Sequence, residues 1–209
     1  MNHPKFEEIL NQYEFGNKEG NGYSLFEKHK DWFIKSAENG NLKLALGETL
    51  EEVNQNNDLR KYDFVLLIIQ AFGIDFTKKD KHFELLFLIA DSITEDFKVS
   101  VNGDKKSWLL HQLTDICIHN YGEVELVIER NPKLIPRVVR KIGKVKYESN
   151  GYGPQMYFAT YKAVGIFWFL PKEEIKKLLD EVYLNHFDGR VVEEAEELIE
   201  HLKEEGRYD

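Results

Sequence analysis

The stretch Tyr62-Asp-Phe-Val-Leu-Leu-Ile-Ile-Gln-Ala-Phe72, followed by Phe83-Glu-Leu-Leu-Phe-Leu-Ile-Ala90, decides the fold class of this 209-residue chain. Wound into α-helices, both runs are apolar almost all the way round, and helices of that kind have to be buried among other elements rather than laid on a surface. They are therefore the predicted core. The segments on either side alternate helical apolar patterns with short polar turns, so the chain reads as layered helices covering this pair.

Capping chemistry places the elements. Pro4 suits the first turn of a helix to about Tyr13, and a glycine- and asparagine-rich turn over 16–22 follows. A helix spans roughly Leu42 to Gln55, and Asp58 can cap the core helix that stops near Gly73. Val99-Ser-Val-Asn-Gly103 reads as a turn, because the Asp-Lys-Lys-Ser after its Asn-Gly makes a poor second strand. A helix is expected from about Asp104 to Tyr121 with Gly122 as its stop, then a short one over Glu123–Arg130 and another from Lys133 to about Lys146. Residues 147–153 break the pattern, Pro154 opens an aromatic-rich helix to about Phe169, Pro171 opens one to about Asn185, and Asp188 can cap the last, to about Glu205.

Paired in order, these helices give an all-α fold: an irregular stack of helical hairpins forming either a HEAT-like solenoid or a compact multi-helix bundle. One domain over 1–209 is expected, with 186–209 as an acidic capping helix at its end. Asn131-Pro-Lys-Leu-Ile-Pro136, ahead of a basic helix, resembles the irregular HEAT-like repeat proteins. Ala37-Glu-Asn-Gly-Asn-Leu42 is similar to the helix-turn-helix junction of an ankyrin repeat, but it occurs once, where stacking needs about three units.

Composition narrows the setting. Charged residues at 31% and hydrophobic ones at 42% are ordinary for a globular protein and too apolar for a disordered one. The lone Cys117 excludes an internal disulfide, and residues 1–30 lack a secretory signal pattern, so a cytoplasmic location is expected. The longest apolar run, Phe64 to Ile69, falls far short of the roughly 18 residues of a membrane span. A net charge of −9 argues against wholesale nucleic-acid binding. Charge is nevertheless segregated: residues 130–146 carry seven bases and no acid, whereas 171–209 carry thirteen acids against six bases.

The basic segment is the first candidate site. Lys133, Arg137, Arg140, Lys141 and Lys144 share one side of a helix whose other side holds Leu134, Ile135, Val138, Val139 and Ile142. Such a stripe could bind phosphates or an acidic protein surface, or could be a solvated face neutralised by the acidic last helix. Around the Asn150-Gly-Tyr-Gly-Pro154 loop, Tyr147, Tyr152 and Tyr157 are the expected exposed aromatics and complete a composite surface with the stripe, while Phe158, Phe167, Trp168 and Phe169 are expected in the core. His111, Asp115 and His119, four residues apart, fall within roughly 80° on one helix face and form a candidate metal or acid–base set. No second ligand cluster accompanies them, and Cys117 lies on the apolar side as a buried thiol.

No nucleophile, phosphate loop or cofactor motif stands out, so no cofactor and no enzymatic activity are expected. The expected function is a non-enzymatic protein-binding module. Its small, acidic, helical composition resembles bacterial immunity proteins, and that resemblance implies a toxin or another basic protein as partner. Two alternatives stay open: a nucleic-acid-binding helical repeat protein using 133–146, and a helical enzyme or metal site at His111, Asp115 and His119.

Overall fold

The computed structural model describes residues 3–15, 21–74, 81–95, 105–147 and 154–208. Among these there are eleven α-helices and no strand, so the all-helical class read from the sequence is the fold. The turns assigned to 16–22 and 99–103 and the loop over 150–154 fall wholly or largely outside the described residues. Contacts divide the chain into two compact units, Met1–Ile89 and Ala90–Asp209, with the division inside the helix His82–Ile93.

The first unit contains α1 (Pro4–Gln12), α2 (Asn21–Glu38), α3 (Asn41–Asn56), α4 (Leu59–Phe72) and most of α5 (His82–Ile93). Its centre is α4, which buries Tyr62, Asp63, Phe64, Val65, Leu66, Ile68 and Ile69, the all-round burial that its composition demands. Asp58 caps it by accepting from the amides of Arg60 and Lys61, and Gly73 ends it at φ 55°, a left-handed conformation suited to glycine. Phe64 sits in an aromatic cluster with Phe6, Tyr13 and Phe26. Two polar ties cross this core: the Tyr13 hydroxyl donates to the buried Asp63 carboxylate, and the Tyr62 hydroxyl donates to the Leu86 carbonyl at 2.9 Å.

The second unit contains the end of α5, α6 (Lys105–His119), α7 (Tyr121–Arg130), α8 (Leu134–Lys144), α9 (Pro154–Gly165), α10 (Lys172–Leu178) and α11 (Gly189–Glu204). A 3-10 turn, Ile166–Phe169, extends α9, and a π-helical turn, Leu179–Tyr183, extends α10. Helix α9 is the hub. It packs most extensively on α6, and also on α8 and α11, so the main partner of α6 is not its neighbour in sequence. The buried side chains of α9 include Ala159, Thr160 and Ala163, small groups that permit close approach. Gly143 of α8 has the same effect, because a Cβ there would stand 2.6 Å from Val182 and 2.9 Å from the Tyr183 ring. The Tyr183 hydroxyl then reaches the Val139 carbonyl at 2.9 Å.

The break between α6 and α7 comes at Asn120, not at Gly122. Asn120 leaves helical geometry at φ −127°, ψ 61°, and its side-chain amide donates to the Ile116 carbonyl at 2.6 Å, satisfying one of the acceptors that a helix end leaves open.

Candidate functional site

Helix α8 is two-sided, as its sequence requires: Leu134, Ile135, Val138, Val139 and Ile142 are buried, and the cations lie on the other side. Three of the five cations have partners within the second unit. Arg137 places Nη2 2.8 Å from Oδ2 of Asp91 and Nε 3.0 Å from Oδ1. Lys141 reaches the same carboxylate at 2.8 Å and the Asp91 carbonyl at 3.0 Å. Arg140 pairs with Glu181 at 3.1 Å. Burial alone would raise the Asp91 carboxyl, but the hydrogen bonds from Lys141 and Arg137 hold it below its ordinary range. Lys133 and Lys144 are exposed and have no ion-pair partner among the described residues. The neutralising carboxylates come from α5 and the π-helical turn, not from the acidic last helix.

The tyrosines divide differently from expectation. Tyr147 is only 8% exposed, and its hydroxyl donates to Oδ2 of Asp188 at 3.0 Å. A buried phenol needs such an acceptor, and Asp188 supplies it. Asp188 is itself 3% exposed, caps α11 through the Arg190 amide, and is held by two guanidinium contacts from Arg190 at 3.0 and 2.7 Å. The Arg190 bonds foremost, with the Tyr147 hydroxyl behind them, keep its carboxyl below the usual range, while burial and the Asp188 charge push the Tyr147 phenol up. Tyr152 lies outside the described residues. Tyr157 is half-buried, with the Arg190 guanidinium 3.9 Å from its ring centroid.

From Tyr157 a run of rings continues outward. Phe158 follows at 5.1 Å, its ring stacks on His111 at 5.4 Å and 25°, and Trp108 meets His111 edge-on at 5.7 Å. Phe158 is 43% exposed and Trp108 37%, so Phe158 is a surface residue and not the core residue expected. The reason is register: Met156, Ala159, Thr160 and Ala163 turn the small-residue side of α9 inward, and Phe158 falls off that side. Phe167 is buried as expected, whereas Trp168 and Phe169 are half-buried beside Ile118 and Gly165, where they line a shallow apolar depression. Separately from this run, Phe187 is 40% exposed, packs on Tyr147 at 4.8 Å, and carries the Lys146 ammonium 4.6 Å from its centroid.

Two histidines underlie these surfaces. His186 is buried, and its Nδ1 accepts the Asp188 amide at 3.1 Å, which leaves the proton of the neutral ring on Nε2. Burial lowers the pKa of His186 and of His111 below the ordinary value, with Lys162 adding to the effect at His111. Asp115 forms an ion pair with Lys162, and His119 is exposed. Among the described residues no group of three His, Cys, Asp or Glu side chains could hold a metal ion. Cys117 is buried, and desolvation raises its thiol pKa.

Acid borders the ring surface along α11. Its apolar side buries Val191, Ala195, Leu198, Ile199 and Leu202, and Glu193, Glu196, Glu197, Glu200 and Glu204 are exposed. Glu194 turns towards α9 and accepts a hydrogen bond from the Tyr161 hydroxyl, with Glu197 close enough to act on both groups. Tyr161 in turn packs on Tyr157 at 5.8 Å. The run of rings thus reaches Glu194 of α11 through Tyr157 and Tyr161. Trp108, Asp188 and Arg190 were not singled out from the sequence as site residues. No protein-family model, curated protein or solved structure matches the chain. No described helix is long and apolar enough to cross a membrane.

Proposed function

We propose that the chain is a non-enzymatic protein-binding module that takes a basic protein partner on the aromatic and acidic face of its second unit. An immunity-type inhibitor covering a basic toxin is the specific form of this reading. The observation that carries it is the exposure of Phe158 and Trp108 in one run of rings bordered by the carboxylates of α11. Aromatic and arginine side chains dominate the energetic centres of protein interfaces, and complementary charge speeds encounter and selects the partner. The basic helix supports the nucleic-acid reading less well, because Asp91 and Glu181 already occupy Arg137, Lys141 and Arg140.

The test is affinity capture from host lysate with and without nuclease, using the wild type and a Trp108→Ala/Phe158→Ala variant. A basic protein retained in stoichiometric amount after nuclease treatment, and lost with the variant, supports the proposal. Capture that disappears on nuclease treatment, or that the variant retains in full, overturns it.

A further inference from the structure

The aromatic rings of the second unit differ in what already lies on them. Tyr157 has the Arg190 guanidinium at 3.9 Å, and Phe187 has the Lys146 ammonium at 4.6 Å. The chain thus supplies its own cation to two rings of the surface. Phe158 and Trp108 carry none among the described residues, although they are 43% and 37% exposed. What Phe158 has on one side is His111, whose lowered pKa leaves it neutral near neutral pH. The nearby cation Lys162 is committed to Asp115. Further along the run, past Tyr157, the Tyr161 hydroxyl bonds Glu194 with Glu197 close to both, and neither carboxylate has an ion-pair partner among the described residues. A surface with open π-faces and carboxylates free of ion pairs is complementary to cations that can lie flat on a ring and bond to an acid.

We infer that this face docks an arginine-rich segment of the partner, whose guanidinium groups stack on Phe158 and Trp108 and pair with Glu194 and Glu197. This rests on the proposed protein-binding function and specifies its chemistry. Arginine is favoured over lysine on physical grounds. Its planar, weakly hydrated fork can stack on a ring and bond bidentately to a carboxylate at once, whereas an ammonium is a strongly hydrated point charge. Arg190, stacked on Tyr157 and forked onto Asp188, shows the same arrangement formed within the chain.

The experiment titrates the full chain with hexa-arginine and hexa-lysine peptides at about 150 mM salt, where contributions from distant charges are screened. The Trp108 indole N–H is followed by NMR and affinity by calorimetry. The expected result is binding of hexa-arginine several-fold tighter than hexa-lysine, weakened about tenfold by Phe158→Ala and also by Phe158→Leu, which keeps the bulk and loses the ring. Glu194→Gln/Glu197→Gln should weaken it more than Glu196→Gln/Glu200→Gln, which removes the same charge from exposed positions of the same helix. Equal binding of the two peptides, indifference to both Phe158 variants, or equal effects of the two glutamate pairs would overturn the inference in favour of general attraction to an acidic protein. Failure here with variant-sensitive capture of a basic protein intact would remove the arginine assignment and leave the binding function standing. Peptide binding as expected with no captured partner would do the reverse.

Discussion

Arg137 and Asp91 form a two-pronged ion pair, 2.8 and 3.0 Å across its contacts, and the same carboxylate holds Lys141. One acid thereby neutralises two of the five cations of the basic stripe and ties α5's last turn to α8. Because Arg137 is half-exposed, the pair stabilises modestly, and Asp91→Asn should cost about 1 kcal/mol, measured by chemical denaturation. The same substitution unmasks Arg137 and Lys141, so the variant should elute from a heparin column at higher salt than the wild type. Elution at the wild-type position would mean that Asp91 does not mask the stripe.

The Tyr147–Asp188 bond joins the end of α8 to the cap of α11 in a buried setting. Tyr147→Phe leaves the ring and removes a hydrogen bond to a charged acceptor, a loss of about 1.5–3 kcal/mol. The acid limb shifts too. The folded pKa of Asp188 is depressed, so its contribution to stability is present above its ordinary 3.8 and is lost as pH falls through the lower folded value. Removing the Tyr147 donor brings that value closer to 3.8, and the acid unfolding midpoint of Tyr147→Phe should move to higher pH. An unmoved midpoint would show that Arg190 alone sets the Asp188 carboxyl.

The helices were legible because their signals are local. Asp58 at the start of α4, Gly73 at its end and Asp188 before α11 act within a turn of their own position, and each does what its chemistry indicates. Pairing was harder to read, since the contact of α6 with α9 joins segments separated by two other helices, and no spacing rule encodes it. The basic stripe was visible as a pattern, but its neutralisation by Asp91 and Glu181 comes from other elements. Tyr147 went inside for the same reason: its acceptor, Asp188, lies 41 residues away. The exposure of Phe158 was readable in principle, because it falls off the side of α9 shared by Met156, Ala159, Thr160 and Ala163, and apolar type alone points the other way.

His111 and His186 should set a second, milder pH dependence. Both have folded pKa values below the ordinary 6.5, because burial disfavours the charged ring. The unfolded chain therefore binds more protons as pH falls below 6.5. Their stabilising contribution is complete above that value and is lost on descent through the folded pKa values. Trp108, Phe158, Lys162 and Asp115 surround His111; Tyr147, Phe187, Asp188 and Lys146 surround His186. Denaturant unfolding at pH 7 and pH 5.5 should show lower stability at the acid value in the wild type. The gap should narrow in a His111→Gln/His186→Asn variant, whose asparagine carbonyl can still accept the Asp188 amide. A gap of the same size in both proteins would assign the acid loss to carboxylates instead.

Two glycines within helices should respond to alanine with opposite signs. Gly122, in the first turn of α7, has nothing within 4 Å of a built Cβ, so Gly122→Ala gains helix propensity and narrows the unfolded ensemble, stabilising by about 0.4–1 kcal/mol. Gly143 would gain the same propensity, but its Cβ would lie 2.6 Å from Val182 Cγ1 and 2.9 Å from the Tyr183 ring. Tyr183 cannot step aside cheaply, because its ring is buried against Phe167 and its hydroxyl is bonded to Val139. The methyl therefore forces α8 away from the π-helical turn, and overpacking of this kind costs about 1–3 kcal/mol, more than propensity returns. Thermal unfolding should place Gly122→Ala above the wild type and Gly143→Ala below it. If Gly143→Ala matched Gly122→Ala, the close approach of α8 to Val182 and Tyr183 would be disproved.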